Sequence, residues 1–486
     1  MTGESTASKD RSEARQTRQE IRLFAVVVAA VLGSRLPFIA HGYGTDPDTW
    51  RVAEAARRIA STHDYVPSRL PGNPVQEIVC ALIRGGGPPA LNGATAVMSA
   101  LAAGFFALSL RRLGRPEAAI AALALAFTPV VYVSSVAAMD YLWALAFLLA
   151  GLYSLLTRRV VLGGVLVGLA VGCRLTSCLF VGPLSLYLLL QDGEPMKARI
   201  ARAVKVCAVA AGIGLACYIP ILRQLGLAAL KHEANHPGLV EALKAATLDT
   251  WGLIGVLALA AAAAAVVVNR GRDPAAPSLR QLAPWLAAIG LYLALFALLP
   301  NEAGYLIPIV PFVLLVLGWL LPRRQFLRLA IALAASSFFF GIGRAATPGG
   351  PVASTLAMPF TVHGKQLVLD PLQGPVLAAD SARHEAERYV ARVIARGGAL
   401  RGNNVIVAGY WWTQVHATLS GDAPPREEYV EFLGPDRIEL YTARGDSIYY
   451  LARQDAYNVY QGGIDLPSIQ ARELEIEEDA KETADR

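Results

Sequence analysis

Charge is scarce in this sequence: Asp, Glu, Lys and Arg make up 17% of its 486 residues, where soluble globular chains carry about 25%. That shortage excludes a disordered chain and argues against a soluble enzyme. Cysteine is scarcer still. There are five, Cys80, Cys173, Cys178, Cys207 and Cys217, with no C-x-x-C pair. A disulfide framework is excluded, and small apolar residues beside apolar runs are the better reading. His232 and His236 have helical i, i+4 spacing, but Pro237 follows and no third ligand is near, which argues against zinc. No internal repeat is visible. No cleavage site follows the first apolar run, so that run is expected to remain as an anchor.

What is present in excess is apolar length. Hydrophobic residues reach 54% and the mean hydropathy is +0.42. Runs near 23–40, 90–110, 117–134, 141–157, 160–172, 177–190, 204–221, 252–268, 282–299, 303–321 and 327–343 approach the ~20 residues that cross a bilayer. The fifth and sixth are separated at Arg174. With residues 1–22 inside, the inner segments carry 20 Lys and Arg against four in the shorter outer loops. That asymmetry sets the orientation, and an odd number of spans leaves the C-terminus outside. The basic pI of 9.0 belongs to this part: residues 1–344 have net charge +13 and residues 345–486 have −7. A nucleic-acid partner is not implied.

The expected organisation is a basic cytoplasmic segment 1–22, a membrane domain 23–344 with a long first outer loop 41–88, an extracytoplasmic domain 345–470, and an acidic flexible tail 471–486. In the loop, Val52, Ala55, Ala56 and Ile59 share a helical face, predicting a surface helix over 49–61 capped by Asp48. The stretch 67–74 reads as an irregular turn, and 222–250 as short interfacial helices. In the outer domain, 366–370, 403–409, 428–433, 437–442 and 447–452 read as strands. Residues 381–398 read as an amphipathic helix. The fold class is an all-α polytopic membrane domain of about 11 transmembrane helices with a small C-terminal α/β domain. Tyr410, Trp411 and Trp412 are suited to stack on sugar or to fill a core.

Charges at membrane level are costly and mark function by default. Arg35, Asp46, Asp48, Asp140, Arg174 and Glu302 all fall at the outer ends of spans. A transporter would place its polar site nearer the midplane. A cleft at the outer surface suits chemistry on a lipid headgroup. There a carboxylate takes a proton from a hydroxyl and a cation stabilises a departing phosphate.

The run PDTWRVAEAARRI followed by YVPSRLPGNP resembles the first outer loop of the GT-C glycosyltransferase superfamily. These multispanning enzymes use polyprenyl-phosphate-linked sugars and include protein O-mannosyltransferases and aminoarabinose transferases. MDYLWALAFLLAGLY resembles the family's second acidic site, GLAVGCRLTS its phosphate-binding segment, and YLIPIVP its tyrosine-proline motif. Where many members have Arg before that Tyr, this sequence has Gly304. The resemblance implies Asp48 as general base, with Asp46 or Asp140 helping. It implies substrate contacts from Arg174, Glu302, Tyr305, Arg69 and Arg35. No cofactor is certain; a divalent metal between Asp48 and Asp140 is compatible with the pattern. The implied partners are a polyprenyl-phosphate sugar donor, an acceptor of unknown identity and membrane lipids, with localisation in a bacterial inner membrane. The alternatives are a flippase for a lipid-linked saccharide and a non-catalytic assembly subunit with the same fold.

Overall fold

The computed structural model describes residues 3–230, 238–269, 277–299, 302–344, 352–362, 365–419, 426–451 and 471–476. The first part of the chain is helical. Its helices are α1 (Gly3–Arg35), α2 (Pro47–Thr62), α3 (Pro74–Ile83), α4 (Gly87–Arg112), α5 (Ala118–Ala126), α6 (Pro129–Ser135), α7 (Tyr141–Leu156) and α8 (Val160–Cys173). They continue with α9 (Val181–Leu189), α10 (Met196–Leu225), α11 (Leu239–Lys244), α12 (Thr250–Asn269), α13 (Leu279–Leu298), α14 (Val310–Leu320) and α15 (Arg323–Phe338). Every expected apolar run contains a helix. By length and composition, however, six helical segments among the described residues can cross a membrane, or seven if the bent pair α5–α6 is one span. Helices α7 and α8 have 16 and 14 residues. At 1.5 Å per residue they fall short of the roughly 30 Å hydrocarbon layer. Neighbouring helices cover most of α7, where Leu142 and Leu149 are fully buried, and α8 buries much of its second half, Val167 included.

The expected span 117–134 is broken. α5 and α6 meet at 65°, because Pro129 opens α6 and cannot continue the hydrogen-bond ladder of α5. The carbonyls freed by the break find side-chain donors. Thr128 donates to Ala124 O at 2.8 Å and Ser337 to Phe127 O at 2.6 Å. Arg35 donates to Ala126 O and, at 3.0 Å, to Ser135 Oγ. A backbone break at membrane depth requires such replacements.

The C-terminal part is α/β. Strand β1 (Gly341–Arg344) joins β2 (Met358–Val362) and β3 (Lys365–Asp370) in an antiparallel sheet of order β1-β3-β2. α16 (Pro375–Gly398) follows, then β4 (Asn404–Val407), α17 (Trp412–Leu419), β5 (Glu427–Val430), α18 (Pro435–Arg444), β6 (Ser447–Tyr450) and β7 (Arg472–Glu473). These strands form a parallel sheet of order β5-β4-β6-β7. Two expectations fail here. Residues 437–442 are helical, not a strand: Pro435 opens α18 and Gly445, at φ 71°, closes it. The tail expected to be flexible from 471 begins as a strand, and Leu474 is buried against the sheet core. A strand two residues long leaves no alternating pattern to read.

This domain is tied to two loops, the one between α6 and α7 and the one between α1 and α2. The buried Arg383 guanidinium donates to Val136 O at 2.8 Å, and the Gly42 amide donates to Glu387 Oε1 at 2.6 Å. Arg383→Ala leaves that carbonyl without its charged donor, a loss of roughly 1.5–3 kcal/mol. The expected result is faster proteolysis and hydrogen exchange in 375–419 with little change in the membrane helices. Unchanged exchange there would show that Arg383 does not hold the domain.

Candidate active site

The site is built on helix ends. Asp46, not Asp48, caps α2: its Oδ1 accepts from the Asp48 amide at 2.8 Å. The expected cap was two residues late, because Pro47 at the first helical position moves the start of the helix forward. Asp48 is thereby free for other partners. Its Oδ1 accepts from Arg51 at 3.0 Å, and its Oδ2 accepts from Arg69. Arg69 also donates to Asp140 Oδ1 at 2.8 Å. Asp140 opens α7 without capping it, is fully buried, and takes Arg174 on Oδ2 at 2.6 Å. Asp48–Arg69–Asp140–Arg174 is therefore a continuous chain of alternating charge.

Two aromatic rings complete it. The Arg174 guanidinium lies 4.1 Å from the Tyr141 ring centroid and 4.5 Å from that of Tyr305, a planar cation held by two π-faces. Tyr141 OH donates to Glu302 at 2.9 Å. Gly304 is explained by the same packing: a Cβ there would meet the Tyr141 ring at 2.6 Å. The ring occupies the room that an arginine at this position would need, and Arg69 supplies a second cation from elsewhere.

The placement of Arg69 depends on a residue the sequence did not single out. Glu77 on α3 is fully buried and accepts from Ser68 N at 2.8 Å, Asn73 N at 3.1 Å and Tyr65 OH. One carboxylate thus ties down the irregular segment that carries Arg69. Burial raises the Asp46 carboxyl above the usual carboxylate range, opposed by Arg69 and Arg51. Burial does the same for Glu302, with Asp46 adding to it.

Of the expected residues, Asp46, Asp48, Asp140, Arg174, Glu302, Tyr305 and Arg69 come together. Arg35 does not. It is fully buried in the α5–α6 break, 3.7 Å from the Tyr132 ring centroid, and its role there is structural. Tyr141, Arg51 and Glu77 were missed. Tyr141 and Arg51 lie inside motifs already noted, but nothing in one sequence shows which neighbour of a motif turns toward its charge. A metal between Asp48 and Asp140 does not fit. All four carboxylate oxygens accept from arginines, with Arg69 where an ion would sit, and no group of three metal-ligating side chains occurs among the described residues. His232 and His236 lie outside the described residues. Trp411 is buried against Tyr389 in the sheet core, which favours packing over sugar stacking. The Tyr410 side chain lies outside the description.

The fold is that of a multispanning membrane protein. The chain is similar to the crystal structure of ArnT from Cupriavidus metallidurans in the apo state, with TM-score 0.51 and 16% identity over 94% of this chain and 90% of that one. The same protein bound to undecaprenyl phosphate matches over 65% of this chain and 63% of that one, with TM-score 0.47 and 20% identity. No family model matches the chain, and no curated protein does. The ArnT fold is the one the GT-C resemblance implied, and the chain is an integral membrane protein.

Proposed function

We propose that the chain is a GT-C type glycosyltransferase, moving a sugar from a polyprenyl-phosphate donor to an acceptor hydroxyl with inversion. The observation that carries this reading is Arg69, a cation shared between two carboxylates beside a second cation, Arg174. A donor phosphate competes with carboxylates for guanidinium. Drawing Arg69 toward the phosphate frees Asp48 Oδ2. Asp48 then takes the acceptor proton as the hydroxyl oxygen bonds to the anomeric carbon. The bond from that carbon to the phosphate oxygen breaks on the opposite face, and Arg69 and Arg174 hold the departing polyprenyl phosphate. ArnT, whose fold the chain shares, is described bound to undecaprenyl phosphate, which supports a lipid phosphate as the donor's anchor.

The proposal keeps eleven crossings, the short α7 and α8 among them, with residues 1–22 inside and 345–470 outside in a bacterial inner membrane. A reporter active only outside the membrane, fused after Gly350, should work, and one active only in the cytoplasm should not. The reverse pattern would put the charged cluster on the wrong face.

The function itself is tested in detergent, where there are no two sides and transport cannot be scored. Purified protein with a sugar-loaded polyprenyl phosphate and acceptor should release free polyprenyl phosphate. Movement of labelled lipid across proteoliposomes with no transfer in detergent would overturn the enzyme in favour of a flippase.

A further inference from the structure

A polar cleft lies at the end of the bundle opposite the Asp48–Arg174 cluster, where the middle of α1 meets the C-terminal ends of α4 and α7. Its volume is about 480 Å³, and Glu20, Arg112, Tyr153, Thr157, Arg158 and Arg159 line it. Glu20 is 6% exposed. Its Oε2 accepts from Arg112 at 2.9 Å and from Tyr153 OH at 3.2 Å. Its Oε1 is buried and has no hydrogen-bond partner among the described residues. A buried carboxylate oxygen without a donor is rare in native proteins and calls for one.

The cations of the cleft complement that need. Arg158 has φ 63°, a conformation L side chains seldom adopt, and pairs with Glu194 at 2.9 Å. Such strain recurs at ligand-binding positions. Arg159 is exposed and is paired with no described residue. The cleft therefore offers guanidinium to an anion and a carboxylate oxygen to an N–H or O–H donor. Phosphate esterified to ethanolamine or glycerol carries both groups. The surroundings favour a lipid as its source. Ile21 and Val26 on α1, and Val161 and Leu162 just after Arg159, are exposed apolar side chains beside the cleft residues in sequence. They offer acyl chains a surface.

We propose that this cleft binds the headgroup of a phospholipid, with the phosphate on Arg158 and Arg159 and a headgroup ammonium or hydroxyl donating to Glu20 Oε1. The site rests on the membrane fold and is independent of the transferase reading.

The test is native mass spectrometry of the full-length protein in detergent, titrated with phosphatidylethanolamine and with phosphatidylcholine of identical acyl chains. A quaternary ammonium has no N–H to give, so phosphatidylethanolamine should bind about tenfold more tightly. Glu20→Gln should narrow that ratio. Arg159→Gln leaves every described ion pair in place; it should weaken both lipids while the thermal midpoint stays unchanged. Equal affinity for the two lipids, or affinity unaltered in Arg159→Gln, would overturn the proposal. Soluble phosphoethanolamine displacing the lipid at equal concentration would overturn the lipid source and leave a free phosphate ester as the ligand.

Discussion

Asp48→Asn should fold and bind donor lipid, yet transfer sugar at least about 10²-fold more slowly, the scale of a lost general base. The structure makes the substitution cleaner than the sequence alone implied. Because Asp46 caps α2, replacing Asp48 leaves the helix start intact. Asn keeps a carbonyl oxygen for Arg51 or Arg69 but cannot take a proton. Asp46→Asn should cost less, since Asn caps as well as Asp. The measurement is single-turnover transfer, with donor binding assayed separately. Near-normal turnover in Asp48→Asn alongside a dead Asp140→Asn or Asp46→Asn would move the base to that residue. Full activity in all three would remove the carboxylate mechanism, and with it the chemical ground for a transferase.

Arg174→Ala should carry the second largest effect, in two currents that must be separated. Asp140 is fully buried and would keep only Arg69. Removing one partner of a buried pair typically destabilises by about 3–5 kcal/mol. Donor binding should weaken as well, by roughly 1.5–3 kcal/mol for a charge-assisted hydrogen bond. Adding Asp140→Asn to Arg174→Ala removes the orphaned charge, so thermal stability should largely return while donor binding does not. Arg174→Lys keeps the charge but loses the planar fit between Tyr141 and Tyr305, and should bind donor at an intermediate level. Normal donor binding in the stable double variant would make Arg174 only the counter-ion of Asp140.

Much of the cluster was legible because membrane chains make charge expensive. Asp48, Asp140, Arg174 and Glu302 stood out against apolar runs by contrast alone. Tyr141 did not, because an aromatic at the head of a span is ordinary until its ring is found under a guanidinium. Glu77 did not either: in the sequence it is one more acid in a long outer loop, and only the folded segment shows Ser68, Asn73 and Tyr65 donating to it. Arg35 misled for the opposite reason. It shares the span-end position of the other charges, but the break at Pro129 exposes the Ala126 carbonyl that it satisfies.

The sequence by itself determined where helices form, that they are apolar enough for a bilayer, and at which chain positions the charges interrupt them. Those are local properties, set by composition and by residues such as Pro47, Pro129 and Gly445 acting on their immediate backbone. Tertiary structure decided which charges meet. Asp48 and Asp140 are 92 positions apart, and Arg69 joins them only because Glu77 holds its loop and α7 is packed beside α8. It also decided that neighbouring helices sheathe α7 along most of its length. Pairing across such separations depends on how helices pack, and packing is a property of surfaces that no single stretch of the chain contains.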